Sequence, residues 1–248
     1  MNAPALIARR LPEGFCAVAA FCLLFSAARA ATAEVLVKPF RAVSVSSAVA
    51  GALRTLSAQE GESVKAGQPL AILANEQEQL EVDRLTKVLE KRDFDDRGTA
   101  KLFKDKIVSE DEAVEKRIER EIAELQLRRA KVDLAHKTLL APLDGIVVAK
   151  KREAGEWVEP GTVVFELVNI DRVYAELLVP PEEAAPLKVG QKLTTRFALL
   201  APPGDVEGVI DFIDPRVDAS SGLMKVRILI DNPQHRLRPG YRGQALLP

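Results

Sequence analysis

The pattern of apolar and polar residues changes its period twice along the chain. In residues 75–137, apolar side chains recur every three or four positions among charged ones, and proline is absent. This spacing is typical of amphipathic helices with a narrow apolar stripe. On both sides of this segment, short apolar runs such as 69–73 and 163–167 follow glycine-containing turns, which predicts β-strands. The pattern therefore predicts a mainly β protein with a long α-helical hairpin.

The apolar positions of the helical segment predict the seam of an antiparallel coiled coil. They are Leu80, Leu85, Val88 and Leu89 before Gly98, and Val114, Ile118, Ile122, Leu125 and Val132 after it. Gly98 and Thr99 predict the end of a first helix of about 22 residues, roughly 33 Å long at 1.5 Å per residue. Ser109, followed by three acidic residues, predicts the N-cap of a second helix. The 17 acidic and 15 basic residues of the segment are interpreted as solvated faces.

The β segments on the two sides of the hairpin repeat one another. Three glycines with steps of 10 and 6 occur twice, as Gly51, Gly61 and Gly67 and as Gly145, Gly155 and Gly161. Glutamate follows the middle glycine of both sets, and leucine closes each unit 22 residues after its first glycine. Because glycine permits tight turns with positive φ, the repeat predicts two equivalent β units that pack face to face.

This split repeat resembles the lipoyl/biotinyl-like domain of membrane fusion proteins, the HlyD-like periplasmic adaptor subunits of efflux pumps. In that family a coiled-coil hairpin is inserted between two lipoyl half-motifs, which residues 50–73 and 140–168 match. Residues 173–180, 187–191 and 208–240 resemble the β-barrel domain that follows. The resemblance implies a β-sandwich split by the hairpin and followed by a small β-barrel, divided as signal peptide 1–30, barrel-joining strand 31–42, lipoyl-like halves 43–74 and 138–168, hairpin 75–137 and barrel 169–248.

The resemblance also implies partners. They are an inner-membrane transporter, with the resistance-nodulation-division (RND) type favoured over an ATP-driven ABC type, an outer-membrane TolC-type channel, and further copies of the chain in a ring of six. Many relatives have a membrane-proximal domain built from both termini, and we expect a short form without it. The net charge of −1 gives no reason to expect a nucleic-acid partner.

Adaptors that dock onto TolC-type channels carry an Arg-x3-Leu-x6-Ser pattern at the hairpin tip. Leu102 and Ser109 match this pattern, whereas Arg97 lies one residue too early. These three residues are the candidate partner contacts. The alternative is that Leu102 is a core residue of the tip and Ser109 only a helix cap.

The first 30 residues predict a cleaved secretory signal peptide. Arg9 and Arg10 precede an apolar run, 15–28, that is too short to span a bilayer comfortably, and Ala28-Arg29-Ala30 is a cleavage site. An uncleaved anchor is the alternative. Both cysteines lie inside this segment, so the mature chain has no disulfide. We expect a periplasmic protein that its transporter holds at the inner membrane.

Two other function classes stay open. A lipoyl or biotinyl carrier presents a lysine in the turn between its halves, where this chain has the helical segment; Lys150 and Lys151 are interpreted as exposed strand residues. A metal-binding periplasmic protein would use carboxylates with His136 and His235. No Gly-x-Ser-x-Gly, phosphate-binding loop or His-Glu-x-x-His motif occurs. We therefore expect no enzyme activity, cofactor or metal.

Overall fold

The computed structural model describes residues 32–200 and 204–248, and the predicted signal peptide lies outside these ranges. The elements are β1 (Thr32–Ser46), β2 (Gly51–Leu56), β3 (Ser63–Val64), β4 (Pro69–Leu73), α1 (Glu76–Lys104), α2 (Glu110–Ala135), β5 (Thr138–Leu140), β6 (Gly145–Lys150), β7 (Trp157–Val158), β8 (Val163–Val179), α3 (Pro181–Ala184), β9 (Lys192–Phe197), β10 (Gly204–Val217), β11 (Met224–Asp231) and β12 (Arg242–Leu246). The predicted fold class, mainly β with a long helical hairpin, is confirmed.

A closed antiparallel barrel occupies the C-terminal part. Its strand order is β1-β12-β9-β10-β11-β8, and pairing of β1 with β8 closes the sheet. Alternate residues of β8, from Val173 to Val179, point inward and are buried, as the two-residue period of a strand requires. They pack against Phe197 and Ile228 in a common core. Closure removes exposed strand edges.

A β-sandwich lies beyond the barrel, at the other end of β1 and β8. Beyond the barrel, β8 pairs with β6, which pairs with β3, and the sheet β5-β4-β2-β7 lies opposite. Leu53, Leu70 and Leu73 from one half meet Phe165 and Leu167 from the other, and all five are at most 1% exposed. Each such side chain contributes about 1.5–3 kcal/mol relative to an exposed one. The two halves therefore share one core.

The strands β1 and β8 run through both modules. The first part of β1 pairs with β8 up to Pro39, opposite Val173, and the ladder resumes at Arg41, opposite Asn169. The sequence predicted a barrel-joining strand at 31–42, whereas β1 continues to Ser46 and is 15 residues long. The barrel and the sandwich are thus joined by two paired strands and not by a loose linker.

The hairpin is longer than the sequence predicted. Gly98 does not end the first helix: α1 has 29 residues and continues to Lys104, which makes it about 43 Å long. A Cβ at Gly98 would meet nothing within 4 Å. The residue therefore lies on an exposed face, where glycine costs about 1 kcal/mol relative to alanine, and a helix packed along its partner tolerates that cost. No helix of residues 32–200 and 204–248 is long and apolar enough to span a membrane.

The predicted helix seam is wrong at most positions. Leu85 is buried and Leu89 packs beside it, but Leu80, Ile118, Ile122, Leu125 and Val132 are 48–69% exposed. The residues that α2 buries are Ala123, Leu127 and Ala130. Alanine has almost no side chain beyond the backbone, so these positions let the two helices approach closely. Ile118, Ile122, Leu125 and Val132 of α2 face outward instead.

Ion pairs replace apolar packing in the distal half of the hairpin. Arg92 Nη1 lies 2.7 Å from Glu119 Oε2, and Arg120 Nε lies 3.1 Å from Asp96 Oδ2. These side chains are 21–38% exposed, so screening by water limits the contribution of each pair to about 1 kcal/mol or less. The pairs fix the height at which the two helices face each other.

The base of the hairpin is held on the sandwich. Lys137 Nζ donates to the carbonyl of Ala50 at 3.3 Å and pairs with Glu78 at 3.0 Å. The Leu73 amide donates to the Lys137 carbonyl at 2.8 Å. The start of α1 and the end of α2 are therefore both tied to the first β unit.

Candidate functional site

The two β units exchange matching backbone hydrogen bonds. The Gly61 amide donates to the Val147 carbonyl at 2.8 Å, and the equivalent Gly155 amide donates to the Leu53 carbonyl at 2.7 Å. Each donor lies in one unit and its acceptor at the same position of the other unit. The middle glycines have φ of 85° and 91°, in the left-handed region that side chains rarely adopt. The two repeated units are thus related by pseudo-twofold symmetry in the structure.

The last glycine of each unit follows the same rule. The Gly67 amide donates to the Ala141 carbonyl and the Gly161 amide to the Ser47 carbonyl, both at 2.8 Å. Each acceptor lies four residues before the first glycine of its unit. The turns of one half therefore fasten the entry of the other half, and Ala141 lies shortly after the hairpin returns.

The first glycines meet a different requirement. An added Cβ at Gly145 would lie 2.6 Å from the backbone oxygen of Val168, and at Gly51 it would lie 3.0 Å from Leu73 Cδ2. The structure thus places all six predicted glycines in the sandwich, four at turns and two at close approaches. Together they form the base on which the hairpin stands.

The hairpin tip is a tight turn with an apolar surface. The Ile107 amide donates to the Leu102 carbonyl at 2.9 Å, and Lys106 adopts a φ of 59°. Leu102 and Phe103 are each 41% exposed and Ile107 is 67% exposed. Exposed apolar groups at the end of a charged rod are suited to an interface and not to solvent.

The predicted tip contacts separate into two groups. Leu102 is exposed at the turn and is not a core residue. Ser109 caps α2, because its Oγ accepts a hydrogen bond from the Glu112 amide at 3.2 Å. Arg97 lies two helical turns before the end of α1, 2.6 Å from Asp93 Oδ2. Leu102 and Ser109 thus lie before and after the turn, and Arg97 lies farther down α1.

Sequence reasoning missed two apolar tip residues, Phe103 and Ile107. Their positions depend on where α1 ends, and the helix was expected to stop near Gly98. Lysines alternate with these apolar residues at Lys101 and Lys104, and that alternation was the available signal. The tip therefore presents apolar residues among charged residues of both signs.

A stack of aromatic and guanidinium groups braces the junction of barrel and sandwich. The Arg172 guanidinium lies 4.0 Å from the Phe40 ring centre, Phe40 lies 5.4 Å from Tyr174, and Arg227 lies 4.2 Å from Tyr174. At exposed positions a cation–π contact contributes about 0.5–1 kcal/mol. The stack covers the irregularity of β1 beside Pro39.

The histidines are far apart in the fold. His235 Nε2 lies 2.8 Å from Asp171 Oδ1, and hydrogen bonds from His235 and then Asn169 lower the pKa of Asp171. His136 is the C-cap of α2. Among residues 32–200 and 204–248, no three or more His, Cys, Asp and Glu side chains are grouped to hold a metal ion.

The two lysines considered for a carrier role pair with carboxylates. Lys150 Nζ lies 2.7 Å from Glu153, and Lys151 Nζ lies 3.3 Å from Glu166. Neither lysine is in the connection between the β units, because α1 and α2 occupy that connection.

Comparison with known protein families gives two matches. A family model described as CzcB-like, barrel-sandwich hybrid domain matches residues 41–169, and one described as CusB-like, beta-barrel domain matches residues 172–247. The first match covers more than half of the chain.

Curated relatives are similar at low identity. The cobalt-zinc-cadmium resistance protein CzcB of Cupriavidus metallidurans is 26% identical over 216 residues, which cover 77% of this chain and 39% of that protein. The antibiotic efflux pump periplasmic linker protein ArpA of Pseudomonas putida is 27% identical over 231 residues, covering 84% and 60%. The chain thus spans less than two thirds of the length of either relative.

Solved structures share the fold. A MacA-MexA chimeric protein, containing the Pseudomonas aeruginosa MexA α-hairpin domain, aligns with a TM-score of 0.76 at 19% identity, covering 87% of this chain and 77% of the other. The membrane fusion protein Spr0693 from Streptococcus pneumoniae aligns with a TM-score of 0.69 at 18% identity, covering 88% and 98%.

Proposed function

Because the chain belongs to the family of CzcB-like barrel-sandwich hybrid proteins, we propose that it is the periplasmic adaptor of a tripartite efflux system. The observation that carries this proposal is the apolar tip of Leu102, Phe103 and Ile107 at the end of a long charged hairpin. A long hairpin with exposed apolar residues at its tip, held at its base on a β-sandwich, suits a protein that connects two others.

The proposal assigns one partner to each end of the molecule. The barrel and sandwich contact an inner-membrane transporter, and the CusB-like barrel match at residues 172–247 supports the RND type; an ABC transporter is the second candidate. The tip contacts an outer-membrane channel of the TolC type. Several copies, six by resemblance, form a ring in the periplasm, and the chain itself performs no catalysis.

At the tip, Leu102 makes the central apolar contact in this proposal. Ser109 presents its hydroxyl beside that contact while it caps α2. Arg97 contacts the channel only after leaving Asp93, with which it is paired at 2.6 Å. Related proteins are named for the efflux of cations, antibiotics and toluene, so the proposal concerns the connecting role and not a cargo.

The test places a charge on the tip. Leu102→Asp puts a carboxylate into the proposed apolar contact, and burying an unpaired charge is costly, so crosslinking of a photoreactive group at position 103 to the outer-membrane channel should fall together with export. Val189→Asp is the matched control for the channel crosslink, because Val189 is 65% exposed in the barrel, away from the tip. Unchanged channel crosslinking in Leu102→Asp would overturn the tip contact.

A further inference from the structure

Lys106, in the turn at the hairpin tip, has a backbone conformation that is normally left to glycine. Seven of the described residues with positive φ are glycines, and the two others are Lys106 at 59° and His235 at 51°. A residue with a side chain is strained in this left-handed region, because its Cβ approaches the following carbonyl oxygen. Strain of this kind persists where the side chain has a use.

The hydrogen bonds of the turn require this conformation at position 106. The Lys106 amide donates to the Phe103 carbonyl at 2.9 Å. The Ile107 amide donates to the Leu102 carbonyl, also at 2.9 Å. These two bonds form a Schellman motif at the end of α1, in which the residue after the C-cap, Asp105, is left-handed. Glycine is the usual residue at that position, so a lysine there weakens the turn.

His235 shows what a strained side chain can gain within the chain. Its Nε2 lies 2.8 Å from Asp171 Oδ1, so the imidazole has a partner. The Lys106 side chain is exposed. In the part of the chain that the structure describes, its ammonium takes part in no hydrogen bond or ion pair. No contact inside the described chain therefore compensates for the strain at Lys106.

The other charges of the tip are explained by the helix ends. Lys101 and Lys104 lie in the last turn of α1, where the negative end of the helix dipole stabilises a cation. The acidic residues 110–112 lie in the first turn of α2, at the positive end of that helix. This effect falls off outside the terminal turns, and Lys106 lies in the connection between the helices. Its charge therefore has no such explanation within the hairpin.

We propose, resting on the adaptor function above, that the Lys106 ammonium binds a carboxylate of the outer-membrane channel. An ammonium has three donors and no acceptor, so its partner is an acceptor, and an ionised one gives the stronger bond. In the sequence this cation follows Leu102 and Phe103 and directly precedes Ile107. The apolar residues supply contact area, and Lys106 selects a channel with an acidic residue at the matching point.

The variant Lys106→Gly separates the contact from the turn. Glycine adopts positive φ without strain but has no ammonium, so the turn should become more stable while docking weakens. Hydrogen exchange of the Ile107 amide in the full-length protein should slow about threefold. Crosslinking of a photoreactive group at position 103 to the channel should fall about fivefold. If Lys106 had no role in docking, the more stable tip would crosslink at least as well as before.

Two further variants serve as controls. Lys104→Gln removes one lysine charge from the same tip and leaves position 106 unchanged, so it should alter the crosslinking by less than about twofold. Lys106→Arg keeps a cation and should keep the crosslink. Crosslinking at the wild-type level in Lys106→Gly would overturn the contact. An equal loss in Lys104→Gln would also overturn it, because the total charge of the tip would then explain the result.

Charge reversal identifies the partner group. Lys106→Glu should reduce export, and second changes that restore export should replace an aspartate or glutamate of the channel by a neutral or basic residue. Restoring changes in another protein would overturn the assignment to the channel. If the wild-type chain and Lys106→Gly crosslink equally well, the Lys106 contact fails and the adaptor function stands. Absence of the crosslink from the wild-type chain would contradict the adaptor function itself.

Discussion

At the scale of single residues, Gly145 and Gly98 show opposite uses of a missing side chain. A Cβ at Gly145 would lie 2.6 Å from a backbone oxygen of β8, which cannot move without disturbing the sheet. A Cβ at Gly98 would project into open space from a helix. The first glycine is required by packing, whereas the second only weakens its helix.

The corresponding alanine variants should change stability in opposite directions. Gly145→Ala should lower the free energy of unfolding by about 1–3 kcal/mol because the strand pair must shift. Gly98→Ala should raise helix stability by up to about 1 kcal/mol. Urea denaturation followed by circular dichroism measures both. An equal change in the free energy of unfolding for both variants would contradict the crowded position of Gly145 and the open position of Gly98.

Asp218 is the clearest electrostatic feature of the barrel loop between β10 and β11. Hydrogen bonds from the Ser220 hydroxyl and then the Ser221 amide lower the pKa of Asp218 to about 2. These bonds stabilise the charged form, so they are intact at pH values above the ordinary pKa of 3.8 and are lost as the pH falls toward 2.

Removing the hydroxyl should move this titration. Ser220→Ala should raise the pKa of Asp218 toward 3.8, so that the loop loses its carboxylate bonds at a higher pH. A carboxyl-detected NMR titration measures the pKa directly. Ser63→Ala, in the sandwich, serves as the control, and an unmoved Asp218 in Ser220→Ala would show that the hydroxyl does not hold the carboxylate.

Features that depend on neighbouring residues in the sequence could be predicted, whereas features that depend on tertiary contacts could not. Ser109 was predicted as an N-cap because a cap and its acidic first turn are adjacent in sequence. Phe103 and Ile107 were missed because their exposure follows from the point where α1 ends.

The cap and the proposed channel contact of Ser109 can be separated. Ser109→Ala should cost about 1 kcal/mol of α2 stability, whereas Ser109→Asp should keep the cap, because aspartate also accepts from the N3 amide. Hydrogen exchange of the first turn of α2 reports the cap, and export reports the contact. Faster exchange in Ser109→Asp than in Ser109→Ala would contradict the cap assignment.

At the scale of elements, α2 has two stripes of similar spacing. The inner one consists of Ala123, Leu127, Ala130 and Leu134 and the outer one of larger aliphatic residues. Periodicity gives the existence of each stripe but not the side that faces α1. The sequence pattern favoured the more hydrophobic stripe, whereas the helix pair packs through a stripe in which alanines and leucines alternate.

Two neighbouring leucines test the face assignment. Leu127 is 6% exposed and Leu125 is 59% exposed. Leu127→Ala should destabilise the hairpin by about 2 kcal/mol or more, and Leu125→Ala should change its stability by about 0.5 kcal/mol or less. Hydrogen exchange of α1 and α2 in the isolated chain measures both. A larger loss of stability in Leu125→Ala than in Leu127→Ala would support the seam that was predicted from the sequence.

At the scale of the whole molecule, the barrel and the sandwich share β1 and β8. The sequence repeat predicted the sandwich, but it did not predict this continuity. Pro39 lacks an amide hydrogen and therefore predicts the end of a strand. The structure accommodates it at the register irregularity between Pro39 and Arg41, where the ladder with β8 resumes.

Shared strands should make the two modules unfold together. Ile228 is buried in the barrel core, and Ile228→Ala should cost about 2–5 kcal/mol there. We expect the sandwich amides of β4 and β6 to lose the same protection in hydrogen exchange, because unfolding the barrel releases β1 and β8 from both sheets. Unchanged protection in β4 and β6 would show that the modules unfold separately.

The uninterrupted β1 and β8 have a mechanical consequence. Without a swivel between barrel and sandwich, the molecule turns as a stiff lever whose long arm is the hairpin. A tilt of about 10° at the barrel sweeps the far end of a 43 Å helix through about 7 Å, more than one helical turn. Small rotations at the bottom of the lever thus become displacements at the top that can engage or release whatever is held there.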